Sequence, residues 1–394
     1  MKPSSPLYIL WLLVLSVGVV ACTTEGERRQ MAQIIAEADS MNRNYVPMTS
    51  DSLLLQACAF YDRHGSPNER MKAHYLLGCV YRDLGEAPHA IDCYQQAADC
   101  ADTLDSDCDY HTLGCIYSQM GEVFHQQLLF SNEIEVGTKA IHYYQLAHDT
   151  LSALQNLEFS AGTYILMNKM EDAETAIKKA IRSYNVHGYD QEALRATIIL
   201  MHIYAMQPQQ LLEFKELIDK LEQKWNAFDS SHELSLSNRH YYYYKGQYYE
   251  MKGDVDSAEY YYRKIYHDMM DYREQVPLYK GLLSVFQKQN IADSIAKYAQ
   301  LYCEVNDSSI AIKDQDLTAR LTASYRYNTI QKQSLDNAEK ANRRMQIAIA
   351  LLFVAFLAIA AAFYFRRRYM EKKHTLEKLK SEFAEATDRY DKNL

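Results

Sequence analysis

The residues of this 394-residue chain that could carry chemistry are 13 histidines, eight cysteines and 33 tyrosines. A cysteine or histidine becomes catalytic when nucleophile, base and orienting carboxylate meet at a recognisable spacing. After Cys22 the cysteines are Cys58, Cys79, Cys93, Cys100, Cys108, Cys115 and Cys303, and no two of them form a CxxC pair. That spacing supports neither a zinc site nor a thioredoxin-like motif, so small buried packing residues are expected instead. Seven is odd, so a complete set of disulfides within the chain is impossible. A disulfide in the Cys93–Cys115 stretch remains open, because an exported segment would permit one. The sequence contains no GxxxxGK[ST], GxGxxG, HExxH or GxSxG motif. His125 has no nucleophile at a motif spacing, and no ATP-binding pattern follows His374 in the tail. The expectation is a protein that is not an enzyme and takes neither metal nor cofactor.

The tyrosines cluster at Tyr241–Tyr244, Tyr248, Tyr249 and Tyr260–Tyr262. Such a cluster serves either as a platform for sugars or peptides or as packing between helices. The elements that position it are helices. Only 13 Gly and 7 Pro, with 48% hydrophobic residues, favour an all-α chain over sheets with frequent turns. A formal net charge of −9 argues against a broad nucleic-acid surface.

Self-similarity orders these helices. Leu77-Gly78, Tyr81, Gly85, Ala90, Tyr94 and Ala97 resemble the tetratricopeptide repeat, a unit of two antiparallel helices, at its places 7, 8, 11, 15, 20, 24 and 27. Small residues at 8, 20 and 27 admit a close helix crossing, and large ones at 7, 11 and 24 fill the space between neighbours. A second copy has Lys245-Gly246, Tyr249, Gly253, Ala258, Tyr262 and Ile265. A third has Met120-Gly121 and Phe124, then Ala140, Tyr144 and Ala147, and needs seven extra residues in its interhelix turn. Weaker copies follow Ala161, Tyr164, Ala173, Ile177 and Ala180, and also Leu282, Leu283, Phe286, Ile295, Ala299 and Tyr302. Asp190–Trp225, with Leu200, Met201, Tyr204 and a turn at Pro208, makes a degenerate unit, and Ser52–Arg70 a partial one. The resemblance implies a helical solenoid over residues 52–309 behind a polar segment, 23–51, with one helix near Glu27–Met41.

The resemblance also implies a ligand groove, lined by places 2, 5, 9, 12 and 13 of each first helix. In the two clear copies these are Lys72, Tyr75, Cys79, Arg82 and Asp83, and His240, Tyr243, Gln247, Glu250 and Met251. Groove candidates are therefore Lys72, Tyr75, Arg82, Asp83, His240, Tyr243, Gln247 and Glu250. Lys72 and Arg82 are the only cations of the kind that clamp a peptide carboxylate.

Both ends of the chain carry apolar runs. Lys2 followed by Leu7–Val20 and Val19-Val20-Ala21-Cys22 reads as an export signal, residues 1–21, resembling a bacterial lipobox with Cys22 as the lipidated residue. Cleavage by ordinary signal peptidase after Ala21 is the alternative. Met345–Phe365 holds 21 residues without a formal charge, and a helix of that length spans about 30 Å, the thickness of a bilayer core. Four Lys or Arg precede it within fifteen residues and seven follow, which places the C-terminus in the cytoplasm of an inner membrane and the repeats in the periplasm. Residues 310–344 read as an unbroken helix leading into the membrane. In the tail, 366–394, Leu376, Leu379, Phe383, Ala386 and Tyr390 form the seam of a short coiled coil, with a helix lying on anionic lipid as the alternative.

This order is similar to the membrane-anchored tetratricopeptide regulators of Gram-negative gut anaerobes, most closely at residues 73–102 and 317–331. In many of those relatives the coiled coil leads to a DNA-binding or kinase domain, and no such domain follows here before Leu394. The resemblance implies a sensor or adaptor that binds a protein or peptide outside and relays to a separate cytoplasmic partner. A passive scaffold for an envelope complex is the competing expectation. A nutrient-binding lipoprotein needs no C-terminal membrane helix.

Overall fold

Ser66, Asp109, Asp149 and Asp254 each open a helix, and each side chain accepts a hydrogen bond from the backbone N–H three residues on. These caps satisfy donors that a helix start leaves unpaired. At Ser66 the cap is reciprocal, since the Glu69 carboxylate accepts from the Ser66 N–H. The computed structural model describes the backbone of residues 6–267, 270–315 and 317–391, and the side chains of most of 25–308 and 343–382. The expected roles of Lys2, of the Cys22 thiol and of the Phe383, Ala386 and Tyr390 side chains fall outside that description.

Fifteen α-helices make up the described chain: α1 (Pro6–Arg43), α2 (Ser52–His64), α3 (Pro67–Asp83), α4 (Ala87–Asp99), α5 (Tyr110–Gln126), α6 (Phe130–Leu146), α7 (Thr150–Leu166), α8 (Met170–Val186), α9 (Asp190–Ala205), α10 (Leu211–Lys224), α11 (His240–Lys252), α12 (Val255–Arg263), α13 (Tyr272–Gln289), α14 (Ala292–Gln315) and α15 (Leu317–Asp391). Among the described residues the only extended pairing is a single antiparallel bridge, Phe228 to Leu234. The chain falls into two units, Met1–Tyr327 and Asn328–Leu394.

The first unit is a tetratricopeptide-like helical solenoid, and its close crossings explain its residue types. A Cβ on Gly78 would stand 2.5 Å from the ring of the fully buried Tyr94, and one on Gly246 2.6 Å from the ring of Tyr262. Only glycine lets these first helices approach the tyrosine of the second helix so closely. From α5 to α9 the turns recur with a left-handed residue every twenty positions: Leu128, His148, Asn168 and Gly188, with φ of 54°, 57°, 57° and 77°. Two extended cores result, one running from Met31 to Val136 and one from Leu154 to Tyr298.

One expectation needs correction. The third copy has no seven-residue insertion, because the α5–α6 turn is only Gln127–Leu129. Gly121, Glu133, Gly137 and Ala140 occupy places 8, 20, 24 and 27 of an uninterrupted unit, as Ala161, Ala173, Ile177 and Ala180 do in the next. Glu133, buried where a small residue is usual, disguised this register. Tyr144 instead packs further out, against Gly114, whose Cβ would lie 2.7 Å from its ring. The helix expected near Glu27–Met41 joins the packing of the first core. Met31, Ala38 and Met48 are buried with the first core, so packing begins well before residue 52.

In the second unit, one helix stretch among the described residues is long and apolar enough to cross a membrane. Every residue from Met345 to Phe365 is exposed, including Leu351, Phe353 and Phe356. A helix apolar on all sides needs an apolar surrounding, which none of the described residues of this unit provides. Beyond it Leu376 and Leu379 are exposed, and Arg367–Glu371, Lys373–Glu377 and Lys378–Glu382 pair along the helix.

Candidate ligand groove

The first helices α3, α5, α7, α9 and α11 place their groove positions along two cavities. One, of about 730 Å³, is lined by Tyr75, Arg82 and Asp83 of α3, by Cys115, Gln119, Glu122 and Gln126 of α5, and by the turn after α1. The other, of about 540 Å³, lies across α5, α7, α9 and α11.

At the first cavity, polar bonds from α1 and its turn engage every predicted residue. Lys72 Nζ lies 2.5 Å from Asp39 and sits over the Tyr75 ring. Asn42 donates to the Tyr75 hydroxyl at 3.2 Å and accepts from Arg82 at 3.1 Å. Arg82 also donates to Asp83 at 2.6 and 2.9 Å and to Gln119 at 2.5 Å. Asp83 accepts from the Met48 N–H at 3.0 Å. Burial pushes the Tyr75 phenol well above its ordinary value. Burial would also raise Asp39, but Lys72 and Arg43 outweigh it and hold that carboxyl low. The two groove cations therefore already have partners, and a ligand carboxylate would have to displace them.

Of the second set, His240 is exposed and lines the 540 Å³ cavity, where Tyr244 rather than Tyr243 is its neighbour on α11. Tyr243 packs its ring against Tyr244 and Tyr262, and Gln247 donates to its hydroxyl at 3.4 Å. Glu250 accepts from Tyr262 at 2.7 Å, from Lys288 at 2.9 Å and from Ser284. Burial opposes ionisation of Glu250, yet these donors hold its carboxyl below the ordinary value. Tyr241, Tyr242, Tyr248 and Tyr262 are buried, and Tyr243, Tyr244, Tyr249 and Tyr261 pack half-buried against the same core, so most of the tyrosine cluster is packing.

The remaining residues of this cavity come from the weaker repeats. Gln155, Glu158, Gly162, Ile165 and Leu166 are places 2, 5, 9, 12 and 13 of α7, and Arg195, Ile198 and His202 are places 2, 5 and 9 of α9. The same ruler, applied to the degenerate copies, finds them. Polar groups here pair with one another. Glu158 receives a two-pronged donation from Arg195, at 2.8 Å on each oxygen, and a bond from the Tyr184 hydroxyl at 3.0 Å. Burial raises the Glu158 carboxyl against the pull of Arg195 and Tyr184. Buried Glu133 accepts from Thr163 and lies 3.0 Å from His125 Nδ1, a contact that raises the basicity of His125 despite its partial burial. His202 Nδ1 is 3.0 Å from the Tyr244 hydroxyl, and burial followed by Lys280 lowers its basicity. Phe159, Leu166, Ile198 and Ile199 form the apolar remainder, with Phe159 and Leu166 exposed. Such a wall suits a large apolar side chain.

No protein-family model matches the chain, and no curated protein matches it. Among solved structures, a tetratricopeptide repeat protein from Parabacteroides merdae aligns at 14% identity with a TM-score of 0.45, over 74% of this chain and 99% of that one. The Rap conjugation gene regulator of the plasmid pLS20, in complex with the Phr peptide, aligns at 12% identity with a TM-score of 0.42, over 77% and 93% of the two chains. These are likenesses of helical layout, and no functional statement rests on them.

Proposed function

We propose that the protein is a non-enzymatic adaptor that binds a protein or peptide segment in its groove while anchored in a membrane by residues 345–365. The observation that carries this is the cavity across α5, α7, α9 and α11. It is open, Glu158, Arg195, His125 and His202 within it all have partners, and Phe159 and Leu166 of its apolar wall are exposed. Apolar side chains left in water at the centre of a concave face are the usual anchor of a docking site. The bound segment presents a large apolar side chain there rather than a terminal carboxylate. The export signal, Cys22 as the lipidated residue, periplasmic repeats and a cytoplasmic tail complete the proposal. Because no glycine or proline interrupts residues 308–394, a bound state is relayed along this stretch to a separate cytoplasmic partner.

The test is photo-crosslinking in intact cells from a probe at Leu166, with a second probe at Leu379 in the tail. The groove probe should capture one defined polypeptide, and Phe159→Asp should abolish capture. A groove probe that captures nothing overturns the binding function. A glycine-rich insertion after Ser334 should leave groove capture intact and change what the tail probe captures. An unchanged tail pattern overturns the relay and leaves a scaffold.

A further inference from the structure

Cys115 has neighbours that groove binding does not use. It stands one turn after His111 on α5, with Sγ 3.8 Å from His111 Nδ1. The other ring nitrogen of His111, Nε2, is 3.3 Å from Asp149 Oδ2. From α6, the Tyr144 hydroxyl donates to Cys115 Sγ at 3.5 Å. The thiol is half-buried on the wall of the 730 Å³ cavity, and the histidine is exposed.

Nucleophile, base and orienting carboxylate in that order are the recognised arrangement for an activated thiol. With Nε2–H donating to Asp149, Nδ1 is left to accept the thiol proton. The contact with Cys115 raises the basicity of His111, burial opposes it, and Asp149 and Asp109 add to the rise. Tyr144 and Tyr75 also stand near the thiol, their phenols kept protonated by burial, and Arg82, Asp83 and Glu122 line the same cavity. Cys79 provides an internal control. It follows Gly78 as Cys115 follows Gly114, and it accepts from the Tyr94 hydroxyl at 3.6 Å. Yet Cys79 is fully buried, and burial pushes its thiol up to about 11. Burial likewise lifts Cys58 and Cys93 to about 12.

We propose that Cys115 is a reactive thiol, activated by His111 and Asp149, that takes up small-molecule disulfides by exchange. His111 Nδ1 accepts the thiol proton and the Cys115 thiolate attacks one sulfur of the disulfide. The old S–S bond breaks as the Cys115 mixed disulfide forms. The departing thiolate recovers the proton from His111 and leaves as a thiol. Electrons and atoms balance without a further oxidant, and any free thiol reverses the step. The adduct occupies the cavity beside Tyr75 and Gln119, making this end of the groove a reversible modification site.

The test uses the full-length protein in lipid nanodiscs, with neutral dithiodipyridine as the probe and mass spectrometry to assign each labelled thiol. At neutral pH, Cys115 should react about ten-fold faster than the exposed Cys303, since His111 stands beside its sulfur to take the proton. His111→Gln should remove the excess rate, and Cys115→Ser should abolish the fast phase. Equal rates at Cys115 and Cys303, or a His111→Gln variant with an unchanged rate, overturn the proposal. If that variant does not fold, the native comparison decides alone: equal rates at the two thiols overturn it.

Discussion

The groove is built in two ways along its length. At α3 the side chains of places 2, 5, 12 and 13 are held by Asp39, Asn42 and Met48 of the preceding segment. Across α7 and α9 the polar side chains hold each other, through Glu158 with Arg195, and leave Phe159, Leu166 and Ile198 facing the cavity. The repeat that matches its consensus best is thus the one whose cations are already engaged. A degenerate pair of repeats carries the open apolar wall. Availability of a groove residue depends on what the neighbouring helix supplies, and consensus match does not report it.

The largest effect that would break this comparison lies at α5–α6, where the two stretches meet. Gly114→Ala puts a Cβ within 2.7 Å of the Tyr144 ring, and such overpacking should cost about 2–3 kcal/mol. At Gly121 the nearest atom is Val136 Cγ2 at an ordinary 3.6 Å. Gly121→Ala should therefore be neutral or stabilise by about 0.5–1 kcal/mol through backbone entropy. Urea unfolding of the two variants checks the uninterrupted register. A reversed order of stabilities would return the insertion to the α5–α6 turn.

Second in size is the central pair itself. Arg195→Ala leaves the buried Glu158 with Tyr184 as its remaining donor. The cost should be about 1–2 kcal/mol, less than for a fully buried pair because the guanidinium is half exposed to solvent. Thermal unfolding measures it, and an unchanged midpoint would mean that the pair adds nothing to the α7–α9 interface.

Acid should then separate the two stretches. Asp39 and Glu69 have lowered folded-state values, Asp39 through Lys72 and Glu69 through Ser66 and Arg28, each against the effect of burial. Their contribution is present above the unfolded carboxyl value and is lost as pH falls through the folded one. Burial raises Glu158, so its contribution is present below the unfolded value and is lost as pH rises through the folded one. Repeats open locally. Hydrogen exchange between pH 6 and about pH 3, across the ordinary carboxyl range, should show α1–α3 losing protection before α7–α9. Simultaneous loss along the solenoid would contradict it.

Much of this was legible in the residues because close packing constrains residue type. Gly78 with Tyr94, and Gly246 with Tyr262, announce helix crossings that no other pairing fits as well. Glu133 concealed a repeat for the converse reason. A carboxylate at a small, buried place reads as a mismatch until Thr163 and His125, thirty residues after it and eight before it, are seen to satisfy it. The contacts of Lys72 and Arg82 were hidden similarly, since they come from α1, which carries no repeat signature. Among the cavity residues, Ile198 and His202 were within reach of the ruler, whereas the Arg195–Glu158 fork depends on how two successive helices cross.

The smallest effect tests the N-terminal stretch most directly. The Lys72–Asp39 pair is largely sheltered, with side-chain exposures of 25% and 17%, but Asp39 keeps a second partner in Arg43. Lys72→Ala should therefore cost no more than about 1 kcal/mol, within the range of partly exposed ion pairs. Lys72→Ala with Asp39→Ala should cost less than the sum of the single changes, because the two residues share one interaction. A double-mutant cycle in urea measures that coupling. If it is zero, Lys72 makes no energetic use of Asp39, and its ammonium is available to a ligand as the repeat pattern alone implied. A positive coupling means that any anionic ligand at this end must first replace the chain's own carboxylate, a cost that the apolar wall of α7 and α9 does not impose.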